Sequence, residues 1–109
     1  MSAASLLLWA AAAYNTVIAL PGLFARGAPV QGRVTSLLVC AFGLAYAIAA
    51  TDPLRFAPML WAGVLGKLGV IALMAPAVRS GEAPRALGWV LAGDALFTAG
   101  FVWLILSGL

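Results

Sequence analysis

The sequence predicts an all-α integral membrane protein folded as an antiparallel four-helix bundle. Three observations carry this expectation. Of 109 residues, 65% are hydrophobic, against roughly 45 to 50% in soluble domains. Only 8% are charged, and nine charged side chains cannot furnish the polar shell that a water-soluble core of this size needs. Finally, the apolar residues fall into four runs, each near the ~20 residues required to cross ~30 Å of hydrocarbon. The expected organisation is a single transmembrane domain over residues 1–109 with no room for a separate soluble module.

The first run, residues 5–24, begins almost at the first residue. Residues 1–5 carry no Lys or Arg, so the positive leading region of a secretory signal is missing and the run is read as a retained helix. Pro21 lies near its end, where a modest bend is expected rather than a break. Residues 25–33 follow with Arg26, Gly27, Pro29, Gly32 and Arg33, a turn composition in which Gly admits positive φ and Pro ends helices.

The second run is residues 34–51. After it, Thr51-Asp52-Pro53 reads as a helix start, with Asp52 as cap and Pro53 at the first helical position, where its missing N–H costs nothing. The third span, placed at residues 57–78, is therefore expected to begin about a turn before its apolar run. Residues 79–85 form the last connector through Ser80, Gly81 and Pro84, and the fourth span covers residues 86–107. Connectors this short make neighbouring helices antiparallel.

Orientation follows from the arginines. Connectors 25–33 and 79–85 hold Arg26, Arg33, Arg79 and Arg85, whereas the opposite side has only Arg55. The arginine-rich side is expected in the cytoplasm and both termini outside. Trp9, Trp61 and Trp103 then lie toward the outer interface and Trp89 toward the inner one, as in an aromatic belt.

The net charge of +3 and the pI near 9.8 come from six basic residues, the five arginines spread through turns and Lys67. No cluster tracks phosphates, so nucleic acid is not an expected partner. Scattered arginines near helix ends set topology and meet anionic head groups, which makes membrane lipid the expected contact. The single cysteine, Cys40, excludes an internal disulfide and reads as a small packing residue. Histidine is absent, which removes the commonest ligand for haem iron, zinc and copper. No cofactor or metal is expected. There is also no Ser/His/Asp set, no phosphate-binding glycine loop and no paired carboxylates, so no residue is assigned a catalytic role.

What remains to explain is polar residues inside the spans. Lys67 and Asp94 each sit alone near the middle of an apolar run, and a lone charge at bilayer depth costs several kcal/mol even on lenient insertion scales, about 3. Counted inward at ~1.5 Å per residue, Asp94 lies about 12 Å deep, Asn15 about 13 Å, Lys67 about 16 Å and Tyr46 about 18 Å. A polar layer near the midplane is expected, with Lys67 reaching Asp94 across the hairpin of the last two spans. Thr98, four residues after Asp94, shares its face and joins the set. Gly63, Gly66 and Gly69 around Lys67, and Gly88, Ala92, Gly93, Ala95 and Ala99 around Asp94, are small side chains of the kind that close helix packing uses.

Two readings of this layer stand side by side. In one, a satisfied internal network fixes helix register, cheap when complete and costly when half broken. In the other, the layer lines a pathway in which a desolvated Lys or Asp changes protonation state, as in proton-coupled transport. Tyr14 and Tyr46 read as packing residues, with a quinone or lipid pocket as the alternative.

An offset of 52 residues aligns Leu8-Trp9-Ala10 with Leu60-Trp61-Ala62, Arg33 with Arg85 and Asn15 with Lys67. A worn duplication of a two-helix hairpin would leave such a pattern, as would chance in an Ala- and Leu-rich chain.

The strings Gly66-Lys67-Leu68 and Gly93-Asp94-Ala95-Leu96-Phe97, with Gly43-Leu44-Ala45-Tyr46 and Asp52-Pro53-Leu54-Arg55 before them, resemble small uncharacterised four-span proteins common in bacterial genomes. The resemblance implies a bacterial inner-membrane location and transfers no activity. Length and span count are also similar to the small multidrug resistance exporters, four-helix chains that act as dimers. Those rely on an acidic group in the first helix, where this chain offers only Asn15. The functional expectation is thus a structural or accessory membrane component, as a homo-oligomer or within a larger membrane complex. The alternative is a small proton-coupled transporter or channel subunit that uses Asp94 and Lys67.

Overall fold

The computed structural model describes residues 2–107, which contain helices and turns and no strand. In chain order these are α1 (Ala3–Leu23), α2 (Val30–Thr51), the single turn α3 (Pro53–Phe56), a 3₁₀ turn (Ala57–Met59), α4 (Leu60–Ser80) and α5 (Leu87–Leu106). Among the described residues, four helices are long and apolar enough to cross a membrane: α1, α2, the stretch Pro53–Ser80 and α5. The chain divides into two compact units, residues 1–55 and 56–109, each built around one pair of long helices.

In the first unit α1 packs against α2. The start of α1 is capped by Ser2, whose side chain accepts a hydrogen bond from the Ser5 N–H at 3.1 Å, satisfying one of the donors a helix start leaves over. The helix runs through Pro21 to Leu23, and the chain then turns through Gly27 at φ +80°, a left-handed conformation that glycine adopts without strain. Pro29, with ψ 144°, precedes the first helical residue of α2, Val30. Gln31, Gly32 and Arg33 are thus helical, one turn earlier than the apolar run suggests. A helix is free to extend past the hydrocarbon, where polar residues are solvated, and Pro29 rather than hydrophobicity sets its start.

Three side-chain hydrogen bonds tie this hairpin from end to end. Ser5 Oγ donates to the Ala50 carbonyl at 3.0 Å, Asn15 Nδ2 to the Val39 carbonyl at 3.2 Å, and Arg33 Nε to the Leu23 carbonyl at 3.0 Å. The helices approach closely at Gly43, where an added Cβ would stand 3.0 Å from Thr16 Oγ1 and 3.2 Å from the Ala12 carbonyl oxygen.

In the second unit α4 packs against α5. The expected early start of the third span is present as α3, most of which lies at the end of the first unit, and the 3₁₀ turn, with Pro58 in the latter. The Arg55 N–H donates to Asp52 Oδ1 at 3.4 Å. Because that contact is long and exposed, Asp52→Ala is expected to cost only about 0.5 kcal/mol, the low end for a lost cap, read as the shift in unfolding midpoint when mild detergent is titrated with dodecyl sulfate. At its other end α4 runs through Pro76 and stops at Gly81, whose φ of +85° places it in the left-handed region and whose N–H donates to the Val78 carbonyl, a common helix C-terminus.

Burial follows one stripe on each long helix: Leu8, Ala11, Ala12, Asn15 and Ala19 on α1; Gly43, Tyr46, Ala49 and Ala50 on α2; Leu60, Gly63, Val64 and Lys67 on α4; Asp94, Thr98, Phe101 and Leu104 on α5. The spacing of three and four residues is that of a single helix face. Large apolar side chains point the other way, with Leu65, Leu73 and Leu96 about three quarters exposed. A surface of that kind is suited to hydrocarbon and not to water. All four tryptophans are exposed as well.

Candidate functional site: a buried ion pair

α4 and α5 each present one charged residue on the buried stripe. Lys67 falls in register with Leu60, Gly63 and Val64, and Asp94 with Thr98 and Phe101. Their side chains meet: Lys67 Nζ donates to Asp94 Oδ1 at 2.7 Å, with residue exposures of 7% and 8%. The length is that of a charge-assisted hydrogen bond between full ions. Burial makes the contact obligatory for both partners, since removing either one leaves a charge without solvent or counterion.

Two neighbours on α5 complete the setting. Phe97, three residues after Asp94 and so on the adjoining face, places its ring centroid 5.7 Å from the Lys67 ammonium, within the range at which an aromatic quadrupole attracts a cation. The Thr98 hydroxyl donates to the Asp94 backbone carbonyl at 2.7 Å. It satisfies itself on its own helix, in the back-bonded form that mid-helix threonines adopt, and supports the Asp94 turn rather than its carboxylate. Among the described residues no buried side-chain nitrogen or oxygen lacks a hydrogen-bond partner.

The other two residues of the expected polar layer lie in the first hairpin. Asn15 is buried on α1 and holds the Val39 carbonyl of α2. Tyr46 is 1% exposed on α2, with its ring tilted 48° against Phe42 at a centroid separation of 6.1 Å. Tyr46 is therefore a core residue of the aromatic, amphipathic kind. Cys40 is half-buried and free.

One supporting expectation is corrected. Gly66 and Gly69 do not serve close helix approach, because a Cβ built at either meets nothing within 4 Å. They share a helix with Lys67 but not its face. Close approach occurs instead in the first hairpin, at Gly22 against the Ser36 side chain and at Gly43. Phe97 was not singled out by sequence reasoning, although its three-residue spacing from Asp94 is a usable signal. Ser5 and Arg33 gave none, since each bonds a backbone carbonyl that only the folded hairpin brings near.

Comparison with known proteins leaves the site to be read from its own chemistry: no family model, curated protein or solved structure matches this chain.

Proposed function

We propose that this chain is a multi-pass membrane protein with a structural or accessory role, in which the Lys67–Asp94 pair locks the α4–α5 hairpin and takes part in no reaction. The observation that carries this reading is the closure of the pair. Both ions are engaged in one 2.7 Å contact, an aromatic ring lies by the ammonium, and the neighbouring hydroxyl is turned back on its own helix. A complete buried pair specifies which helix faces meet while adding little net stability over an apolar contact. The arginine bias of connectors 25–33 and 79–85 supports a cytoplasmic location for both, in a bacterial inner membrane, with the termini on the other side. Such a component works through its surface, as a homo-oligomer or within a larger membrane complex.

The test is proton flux in reconstituted vesicles, run with wild type and Asp94→Asn. The expected result is no flux above protein-free vesicles for either, together with a complex larger than one chain on extraction in mild detergent. Proton-coupled flux in wild type that disappears in a folded Asp94→Asn protein would replace the structural role by a protonation-sensitive gate at the same pair.

A further inference from the structure

The first hairpin carries a second feature, independent of the ion pair. An open groove of about 490 Å³ runs between α1 and α2, lined by Trp9, Ala13 and Leu20 on one side and Cys40, Leu44 and Ala47 on the other. Thr16 also lines it, but its hydroxyl is spent on the Ala12 carbonyl, so the walls offer hydrocarbon contact. From Trp9 to Leu20 the groove extends about 16 Å at ~1.5 Å per residue, roughly half the ~30 Å hydrocarbon thickness, and it continues past the midplane toward Trp9.

Its Leu20 end leads to a fixed cation. Arg33 precedes Cys40 by seven residues and Leu44 by eleven, placing it on the same face of α2. Its Nε is held by the Leu23 carbonyl at 3.0 Å, one turn beyond Leu20, which leaves the other guanidinium donors for the oxygens of an anion such as a phosphate. Arg33 is exposed, as is Arg26 in the same connector, and among the described residues neither has an ion pair. No carboxylate side chain occurs in residues 1–51. A second copy of this hairpin docked on the groove would bring only further arginines and would leave the cation uncompensated. The phosphate of a lipid compensates it and supplies the acyl chain that the groove accommodates.

We propose that the α1–α2 groove is a binding site for an anionic phospholipid, with its phosphate on Arg33 and one acyl chain running from Leu20 toward Trp9. The site rests on the membrane-spanning reading but not on the role of the ion pair. One arginine near an anionic surface is worth about a fivefold gain in occupancy.

Trp9 reports on the groove directly. In the full chain with Trp61, Trp89 and Trp103 replaced by Phe, vesicles of phosphatidylcholine are doped at low mole fraction with phosphatidylglycerol carrying brominated chains, or with equally brominated phosphatidylcholine. Trp9 fluorescence is expected to be quenched about five times more effectively by the anionic lipid. Arg33→Gln should erase that preference, Ala13→Phe should reduce quenching by both lipids, and Arg85→Gln should change nothing. Equal quenching by the two lipids, or a preference that survives Arg33→Gln, overturns the site. So does a Trp9 shielded from both lipids while a chain retaining only Trp103 is quenched, the result expected if a second copy fills the groove. Absence of quenching at Trp103 as well would overturn the membrane-spanning reading itself.

Discussion

Asp94→Leu is expected to destabilise the protein by about 3 kcal/mol, because it strands the Lys67 ammonium on a buried helix face. Lys67→Met should cost a similar amount by stranding the carboxylate, and the double variant should cost much less than the sum. The magnitudes separate this pair from ordinary polar contacts. Neutral interhelical hydrogen bonds in membrane proteins average about 0.6 kcal/mol, so a contact such as Asn15 to the Val39 carbonyl belongs to a smaller class. The ion pair is expensive to break singly because its alternative is an uncompensated charge away from water, not because the intact pair is strongly stabilising. The cycle is measured by dodecyl sulfate titration from mild detergent, followed by far-UV circular dichroism. Additive single effects would show that the two side chains do not depend on one another.

Gly43→Leu is expected to produce the second large effect, a loss of about 2 kcal/mol from overpacking between α1 and α2. A Cβ at this position would lie 3.2 Å from the Ala12 carbonyl and 3.3 Å from the Asn15 Cβ. Neither can swing aside, since one is helix backbone and the other is a buried residue on the facing helix. The helices must separate, and the nearby Asn15 bond to Val39 lengthens with them. Gly66→Leu supplies the contrast. Open space surrounds that position, so its cost should be near zero or slightly favourable from improved helix propensity. Equal costs at the two glycines, in the same titration, would contradict the packing described for the first hairpin.

These two glycines show where a sequence stops being informative. Glycine in a membrane helix signals close approach only when its face is known, and here the faces are hard to read. The four long helices are apolar nearly all round, so the usual contrast between a hydrophobic inside and a polar outside is missing. Only Asn15, Lys67, Asp94 and Thr98 mark the buried stripes, and they do so correctly on α1, α4 and α5. Gly66, next to Lys67 in sequence, is about 100° around the helix from it.

Helix existence was legible because span length is set by hydrocarbon thickness, and all four apolar runs coincide with long helices. Helix ends were less so. α2 starts at Val30 rather than 34 because polar residues continue a helix into the interface. The third span is interrupted by a 3₁₀ turn at Ala57–Met59, where Pro58 supplies no N–H to an α-helical bond. The ion pair itself was legible, since two lone opposite charges in adjacent antiparallel spans have few other partners. Its aromatic neighbour and the groove over Trp9 depend on which faces point outward, and apolar periodicity does not encode that.

The proposed lock requires Lys67 and Asp94 to neutralise one another within the α4–α5 hairpin inside a bilayer. Lys67 is the chain's one lysine and Asp94 is one of two aspartates, so isotope labelling isolates the contact. The protein is prepared in lipid bilayers with ¹⁵N at lysine Nζ and ¹³C at aspartate Cγ, in an Asp52→Asn background. Solid-state dipolar recoupling should then show the strong nitrogen–carbon dephasing that a 2.7 Å contact between Nζ and Oδ1 requires. A lysine signal that fails to dephase would mean that the two charges are apart in the membrane, and the proposed lock would not exist.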